Sequence, residues 1–426
     1  MSPYRKSQFK AIVLGLVTVG LGFLSLVSTP AGATSPTITT FDVSGSTDTE
    51  VGRINNLGQV AGDYLDSTSR GYVRDAQGNI TTYDPPGAVI TQSFAINDLG
   101  RVVGYYWDST SSSAHGFVRA AQGNVTTFDV SGAIIVVPFA INNLGQVAGY
   151  SVGGFTTHGF VRDAHGNITT LDVSGATSTF PYAINDLGQV AGFYLDSSSH
   201  YHGFVRDAQG NITTFDVSGA TNTVAFAINN LGQVAGDYYD STLQSTSHGF
   251  VRDAQGNMTT FDVSGATNVY PYAMNNLGQV AGYYLDSTSH YHGFVRDAQG
   301  NITTFDVSGA THTFPQAIND FGQVAGYYYD GNNHLHGFIA TFVLSSPSQL
   351  LASLIATVTT LGFHQGENLL QNALRQVNAG QTTQACNQLG AFINKVEAQA
   401  GEQLIAAEAS GLAAAATQIQ AALGCD

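Results

Sequence analysis

Hydrophobic and polar positions alternate in short blocks through most of the chain. Around Ile228 four such blocks follow one another: TVAFAIN, QVAGDYY, HGFVRD and NMTTFDV. Alternation with a period of two is typical of β-strands. The blocks are separated by Asn-Asn-Leu-Gly and Ala-Gln-Gly-Asn, which are turn-forming sequences. The pattern predicts four short antiparallel strands, A to D, joined by tight turns.

This four-strand pattern recurs along the chain. The phrase INxLGQVAG, or a close variant, begins at Ile54, Ile96, Ile141, Ile184, Ile228, Met274 and Ile318, at spacings of 42, 45, 43, 44, 46 and 44 residues. A period of roughly 40 to 50 residues is that of four-stranded propeller blades. We therefore predict an all-β, seven-bladed β-propeller over residues 34–344.

The first strand decides how the blades are completed. Residues 37–43, TITTFDV, have the D-strand pattern but precede the first A strand, whereas the last C strand, from His336, has no D strand after it. Asp42 stands 12 residues before Ile54, the spacing that every other D strand keeps to the next A strand. We expect this N-terminal strand to close the last blade and so to remove an exposed sheet edge. A β-solenoid, whose coils need no such offset strand, or a string of small sandwiches is the alternative.

The composition changes after Leu344, where aromatic residues nearly vanish and Ala, Leu and Gln dominate. Ser346 before Pro347 is a helix-start signal. The pattern predicts a four-helix module over residues 345–426, with helices at 347–361, 366–379, 383–400 and 405–423. Its core stripe is predicted to contain Leu389, Phe392, Ile393 and Val396, which recur at helical spacing.

The N-terminus has the features of an export signal. Residues 1–33 combine the cations Arg5, Lys6 and Lys10 with an apolar run over 11–27 and an A-x-A cleavage sequence at 31–33. An uncleaved anchor is the alternative. In an exported chain a pair of cysteines is expected to form a disulfide, and antiparallel third and fourth helices would bring Cys386 near Cys425. We therefore expect a secreted, extracellular protein.

The charge balance limits the partners. The formal net charge is −16, and it becomes −19 once the three cations of the signal are removed. Lys395 is then the one lysine left. Such a chain cannot neutralise phosphates, so we expect no nucleic-acid partner. We also expect no membrane insertion after signal cleavage, and a monomer.

The phrases INDLGQVAG and HGFVRDAQGNITT resemble the extracellular HAF repeats of bacteria, over residues 37 to about 343. That family is named for a His-Ala-Phe motif, whereas this chain has glycine in the middle position. The stretch ACNQLGAFINKVEAQAGEQLIAAEA resembles the small helical FIMAH domain of secreted bacterial proteins. The resemblance implies an exported repeat protein, and it carries no catalytic signature.

The B–C connections hold the length variation among the copies and are rich in Tyr, Asp, Ser and His. Aromatic faces beside carboxylates can hold sugar rings or peptide segments, and a solvated rim without a ligand is the plain alternative. The candidate ligand-binding residues are Trp107, Asp108, Tyr194, Asp196, His200, Tyr201, Tyr239, Asp240, Asp286, His290, Tyr291, Asp330 and His334.

Other candidate chemistry is weaker. Three H-x-H pairs end at His202, His292 and His336, but the second histidine belongs to the repeated HGF phrase, so no metal site and no cofactor is predicted. Asp63 and Asp237 replace an aromatic residue in strand B, in blades too far apart for an acid and base pair.

These observations favour a non-enzymatic binding or scaffold protein that contacts a carbohydrate or another protein through its B–C loops. An extracellular glycan hydrolase or lyase that uses loop carboxylates is the alternative, and a purely structural envelope protein is a third.

Overall fold

A computed structural model of the protein describes residues 35–109, 113–154, 156–240, 246–342 and 346–425. The predicted export signal, residues 1–33, lies outside these ranges. The first half contains β1 (Thr37–Phe41), β2 (Asp48–Ile54), β3 (Val60–Leu65), β4 (Ser69–Arg74), β5 (Ile80–Tyr83), β6 (Ala88–Ile96), β7 (Val102–Asp108), β8 (Ala114–Arg119), β9 (Val125–Phe128), β10 (Ile135–Ile141), β11 (Val147–Gly153), β12 (Thr156–Arg162), β13 (Ile168–Leu171) and β14 (Ser178–Ile184). The remainder contains β15 (Val190–Leu195), β16 (Tyr201–Arg206), β17 (Ile212–Phe215), β18 (Ala220–Ile228), β19 (Val234–Asp240), β20 (Ser247–Arg252), β21 (Met258–Phe261), β22 (Ala266–Met274), β23 (Val280–Asp286), β24 (Tyr291–Arg296), β25 (Ile302–Phe305), β26 (His312–Ile318), β27 (Gln323–Tyr329) and β28 (Leu335–Thr341), followed by the helices α1 (Pro347–Thr360), α2 (His364–Asn378), α3 (Thr382–Ala398) and α4 (Ala406–Leu423).

The strands pair in antiparallel groups, six of them of four consecutive strands and one of three, in the order A, B, C, D that the repeat predicts. We number these groups unit 1 (β2–β5), unit 2 (β6–β9), unit 3 (β10–β13), unit 4 (β14–β17), unit 5 (β18–β21), unit 6 (β22–β25) and unit 7 (β26–β28). Single parallel bridges, Ile135 to Ala114 and Thr157 to Ser178, join units 2, 3 and 4 into one larger sheet.

The N-terminal strand belongs to the end of the chain. β1 pairs antiparallel with β28, so that Thr40 lies opposite Phe338 and Phe41 opposite Gly337. The sheet order is β1-β28-β27-β26, which gives unit 7 its D strand. The pairing that the offset repeat predicts between the first and last strands is therefore present.

Each unit has two ends with different connections. The A–B and C–D turns meet at one end: a Cβ added at Gly58 would lie 3.4 Å from Cβ of Ala76. We call this end the turn face. The B–C loop and the D–A connection meet at the other end, where Arg70 contacts both Asp66 and Asp84 at 3.3 and 3.4 Å. We call this end the loop face.

The glycine of the HGF phrase is required by packing within a unit. A Cβ at Gly293 would lie 2.7 Å from the ring of Phe305 on the D strand, and one at Gly337 would lie 2.6 Å from the ring of Phe41. Contacts under 3 Å are not tolerated, so this chain cannot carry the alanine of a His-Ala-Phe motif here without moving the D strand.

The helices follow the predicted segments within two residues at each end. Ser346 caps α1 with a reciprocal capping box and Pro347 at its first position. Leu389, Phe392 and Val396 are fully buried in the module core, with Ile393 packed against it. Cys386 and Cys425 form the predicted disulfide, with 5.8 Å between their Cα atoms. In the part of the chain described, no helix has the length and apolarity needed to cross a membrane.

The helical module packs on the turn face of units 7 and 1. Leu57 and Phe321, from the A–B turns of those units, belong to the same buried cluster as the helical core. Gly411 of α4 lies directly on Leu57, since an added Cβ would be 2.6 Å from its Cβ. Gln418 Nε2 donates to the backbone oxygen of Phe321 at 2.7 Å.

Candidate functional site

Aromatic rings from the A strands pack against one another where the units converge. Ring centroids are 5.0 Å apart for Phe94 and Phe139, 4.7 Å for Phe139 and Tyr182, and 5.6 Å for Phe226 and Tyr272. The hydroxyls of Tyr182 and Tyr272, from units 4 and 6, are hydrogen-bonded to each other. Rings from successive A strands thus contact one another across the unit boundaries, and such pairs are favourable when offset or tilted.

On the turn face, the A–B turns are linked by a ring of side-chain amides. The first asparagine of each INxLG phrase donates from Nδ2 to the backbone oxygen of its counterpart in the next unit, as Asn55 does to Asn97 at 2.9 Å. The equivalent bonds recur at Asn97, Asn142, Asn185, Asn229, Asn275 and Asn319. All of these asparagines except Asn229, together with the apolar residue before each of the seven, line a cavity of about 200 Å³; that apolar residue is Met274 in unit 6 and isoleucine in the other units.

The next position in that phrase carries either asparagine or aspartate. Asp98, Asp186 and Asp320 each stand between two asparagines whose Nδ2 groups or backbone N–H groups bond to the carboxylate. Burial, reinforced by Asp320 and Asp186, raises the pKa of Asp98 to about 6. Both oxygens of each carboxylate accept hydrogen bonds from asparagines of the two neighbouring units, so these aspartates join the units together.

On the loop face, the histidine of HGF joins two carboxylates. His292 Nδ1 lies 2.8 Å from Asp306, and its Nε2 lies 3.4 Å from Asp286. The ring also stacks on Tyr284 with centroids 5.1 Å apart. We call this arrangement the His clip. It recurs with two aspartates and a neighbouring tyrosine ring, stacked at three histidines and tilted at the first, at His115, His202, His248 and His336.

The His clips account for many of the predicted ligand-binding residues. The carboxylates of Asp108, Asp196, Asp240, Asp286 and Asp330 each contact the histidine of their own unit, and Tyr194 stacks on His202. Although burial opposes it, hydrogen bonds from the His290 backbone, Thr288 and His292 lower the pKa of Asp286 to about 2. These side chains stabilise the loop face itself.

The other predicted residues are spread over the loop face. Tyr239 is half-buried and shares hydrogen bonds with Tyr270 and Ser247. Trp107 is half-buried opposite Ile90 and Ala114. His200 and His334 are exposed, and their backbone N–H groups donate to Asp196 and Asp330 at 2.8 and 2.9 Å. Residues 110–112, 155 and 241–245 of the B–C loops lie outside the described ranges.

Between units 6 and 7 the loop face has a cluster of rings that we call the Tyr291 groove: His290, Tyr291, His312, Phe314 and Tyr329. The Tyr291 centroid lies 5.0 Å from that of Phe314 and 5.7 Å from that of His312. His290 and His312 are 5.7 Å apart, and His312 and Tyr329 are 6.0 Å apart. His290 is exposed and the other four are half-buried, so the rings are packed but reach solvent.

His312 is the residue of this groove that sequence reasoning missed. Its Nδ1 accepts the backbone N–H of Tyr291 at 3.2 Å, so a neutral ring carries its proton on Nε2. Burial, with the charges of His290 and His292, lowers its pKa, which favours that neutral form. The sequence signal for this contact was the phrase THTF, which places His312 six residues before Ile318. The equivalent residues Asn222 in unit 5 and Asp48 in unit 1 also accept a backbone N–H from the preceding unit.

Tyr201 occupies the matching position between units 4 and 5. Its backbone N–H donates to Asn222 Oδ1 at 2.8 Å, and its ring lies 5.6 Å from that of Phe193. The predicted residues are therefore brought together in pairs or triplets at separate unit boundaries. They do not form one continuous site.

The two histidines of each H-x-H pair also make separate contacts. The second histidine of each H-x-H pair is held in a His clip, while His290 turns to Thr288 at 2.8 Å. Among the described residues, no group of three His, Cys, Asp or Glu side chains is placed to hold a metal ion.

Asp63 and Asp237 are both buried, in units 1 and 5. Ser69 donates to Asp63 at 3.0 Å, whereas Oδ1 of Asp237 has no hydrogen-bond partner among the residues that the structure describes. Burial raises the pKa of Asp237 to about 8, so its neutral form is favoured near neutral pH. Asp237 is 3% exposed and not accessible to a large substrate.

Known structures similar to this chain are β-propeller proteins. It matches the β-propeller domain of the Trilobed protease from Pyrococcus furiosus with a TM-score of 0.50, at 6% identity over 69% of this chain and 94% of that one. It matches a prolyl endopeptidase with a TM-score of 0.51, at 12% identity over 72% of this chain and 48% of that one. TolB from Acinetobacter baumannii matches at 0.41, with 10% identity over 64% of this chain and 76% of that one. No protein-family model and no curated protein matches the sequence.

At such low identity the likeness establishes the fold alone. The chain is mostly β with four helices after the strands, and its scaffold is that of a β-propeller, as the repeat predicts.

Proposed function

We propose that this chain is an exported, non-enzymatic binding protein: a closed seven-bladed propeller that holds a carbohydrate on its loop face, chiefly in the Tyr291 groove. The observation that carries the proposal is the cluster of half-buried rings around Tyr291, with a neutral imidazole and phenolic hydroxyls among them. Aromatic faces stack on the apolar faces of sugars, and hydroxyls and imidazole N–H groups bond to sugar hydroxyls.

Closure into seven blades is supported by contacts between units 7 and 1, which we call the seam. β1 completes unit 7, and Asn319 Nδ2 donates to the backbone oxygen of Asn55. Asp320 N–H also donates to Asn56 Oδ1 at 2.9 Å. The same two hydrogen bonds, one from the asparagine side chain and one from the next backbone N–H, join all the remaining pairs of successive units. The seam therefore has the geometry of the other boundaries.

Export is supported by the disulfide between Cys386 and Cys425, because such bonds persist in oxidising compartments. The predicted signal over residues 1–33 and the resemblance to HAF repeats and the FIMAH domain have the same implication. Sequencing the N-terminus of the protein from the medium of its native host should give a chain that begins just after the predicted cleavage site. An uncleaved, cell-retained chain would contradict export.

Binding is favoured over hydrolysis or lyase chemistry by the state of the carboxylates. A glycan hydrolase of the usual kind needs a protonated acid near its substrate. Asp286, beside the groove, has a pKa of about 2 and is held by His292 and Thr288. Asp237 has a suitable pKa of about 8, but it is buried.

The binding proposal is tested with immobilised polysaccharides and a glycan array. Retention of the wild-type chain should be lost for Tyr291→Ala and weakened about tenfold or more for His312→Ala, since central aromatic contacts contribute most of the affinity. Trp107→Ala and Tyr201→Ala test the rest of the loop face. Gln255→Ala, an exposed change on the turn face, is the control. Equal retention of all variants would show that the loop face is not the carbohydrate-binding surface.

The enzymatic alternative has a separate readout. Incubation with the same polysaccharides should release no new reducing ends and no unsaturated products. Turnover that disappears on changing a single loop aspartate would replace the binding proposal with the enzymatic one.

A further inference from the structure

The A–B turn of every unit carries a large hydrophobic residue, leucine in units 1 to 6 and phenylalanine in unit 7, but only part of this set is covered. Leu57 and Phe321 are 1% and 2% exposed beneath the helical module, whereas Leu144, Leu187 and Leu231 are 59%, 59% and 60% exposed. The turn backbone is the same in each case, with the glycine N–H donating to the asparagine oxygen at 3.0 to 3.2 Å. The difference in exposure therefore comes from what covers the turn.

The helix that covers Leu57 and Phe321 makes a simple set of contacts. Gly411 lets α4 approach Leu57 closely, and Ala415, one turn later, lies over the same groove. Gln418 donates to the backbone oxygen of Phe321 at 2.7 Å. The contact face of α4 is thus a small residue at i, a small residue at i+4 and glutamine at i+7.

The floor of that groove recurs between units 4 and 5. A Cβ at Gly58 would lie 3.4 Å from Cβ of Ala76 and 3.5 Å from Oε1 of Gln323. The matching distances at Gly232 are 3.3 Å to Ala254 and 3.6 Å to Gln189. In this second groove Leu187 takes the place of Phe321, and Leu231 takes the place of Leu57.

We propose that the groove between units 4 and 5 binds an α-helix of another protein, with the contact pattern of α4: uncharged, with small residues at i and i+4 and glutamine at i+7. The argument is that the interface which α4 makes on the same surface, three boundaries away, uses a groove floor of the same residues and spacing. Exposed apolar patches mark interaction sites, and a helix that lies in a groove is a recurring mode of recognition.

A partner helix fits better than the module of a second copy. Each module is linked to its own propeller by residues 343–345, so its own groove is favoured by a high effective concentration. Exchange between copies would expose Leu57 and Phe321 in order to cover Leu187 and Leu231, with no net gain in buried surface.

The test uses a labelled peptide with the sequence of α4, residues 406–423, as a surrogate for the partner helix. A side-chain bridge on the face opposite Gly411 holds the peptide helical, which circular dichroism verifies before use. Fluorescence anisotropy with the full-length chain should show saturable binding that Leu231→Asp and Leu187→Asp each weaken about tenfold or more. Both leucines are exposed, so these changes should leave the fold intact.

Two controls and two contrary results define the outcome. A peptide with Gly411→Leu should not bind, and Tyr291→Ala on the loop face should leave peptide binding unchanged. The proposal is overturned if the helical peptide does not bind, or if it binds Leu231→Asp and Leu187→Asp as well as wild type, since it then occupies the groove of α4. Self-association that Leu231→Asp abolishes would assign the groove to a second copy and overturn the assignment to another protein.

Discussion

Asn319 donates its side-chain N–H to the backbone oxygen of Asn55 at 3.0 Å, across 264 residues of sequence. The bond has the geometry of the one between Asn142 and Asn185, which are neighbours in the repeat. Each of these asparagines is buried, and each also bonds to the glutamine of its own turn. A long-range contact is thus made by a residue whose local role is to shape a turn.

Closure at the seam can be tested by comparing two equivalent substitutions. Asn319→Ala and Asn185→Ala remove the same set of four hydrogen bonds at two boundaries. Each should lower the free energy of unfolding by about 1–3 kcal/mol per buried group left without a partner. Equal losses in urea unfolding would agree with a closed ring. A clearly smaller loss for Asn319→Ala would mean that the seam is open.

The His clips predict greater stability at mildly acidic pH. Although burial opposes it, Asp306 and Asp286 raise the pKa of His292 above 6.5. A raised histidine pKa contributes stability below 6.5 that is lost as the pH rises through the folded pKa. The lowered pKa of Asp286, about 2 against 3.8, contributes stability above 3.8 that is lost as the pH falls towards 2. These two groups should therefore make the thermal midpoint highest between pH 3.8 and 6.5.

Two histidine variants check this dependence. His292→Gln should flatten the fall in thermal midpoint above pH 6.5, because the paired imidazolium is absent. His165→Gln is the matched control, since other copies of the repeat carry glutamine at that exposed turn position. Parallel pH profiles for His292→Gln and wild type would show that the clip contributes nothing to stability.

Asp237 predicts a second pH effect, between pH 3.8 and about 8. Its pKa is raised by burial from 3.8 to about 8, so stability that is present below 3.8 is lost as the pH rises through 8. Between these values the slope approaches about 1.4 kcal/mol per pH unit for one proton. Asp237→Asn should remove this part of the slope in urea unfolding at several pH values. A variant with the wild-type slope would mean that Asp237 is ionised in the folded protein.

Docking of the helical module can be tested at two helical glycines. Gly411→Ala places a Cβ 2.6 Å from the backbone oxygen of Leu57 and should cost about 1–3 kcal/mol. Gly390→Ala meets nothing closer than 3.8 Å and should stabilise α3 by about 0.5–1 kcal/mol. Thermal unfolding, and the rate of proteolysis between β28 and α1, measure the effect of both substitutions. If Gly411→Ala were as stable as Gly390→Ala, the contact with Leu57 would not hold the module.

Much of the fold could be predicted because its signals are local. Alternation of apolar residues marks the strands, and glycines such as Gly58 mark the turns. The constant spacing from Asp42 to Ile54 was enough to predict that β1 pairs with β28. Antiparallel helices of known length placed Cys386 near Cys425.

The candidate site was harder to predict because residue type did not reveal which side chains were already occupied. Asp286 and Asp196 have the composition of a ligand site but are held by His292 and His202. His312 begins β26, an A strand, and was not among the predicted residues, yet it completes the Tyr291 groove from the neighbouring unit.

The sequence by itself determined the repeat, its four strands, the offset first strand and the four helices, because each depends on periodicity or spacing along the chain. Only the tertiary structure decided which copies differ in their surroundings. Leu57 and Leu231 have the same local sequence, and one is buried while the other is exposed because α4 lies on one of them. Contacts between units depend on neighbours in space, and identical repeats do not encode which neighbour each of them will have.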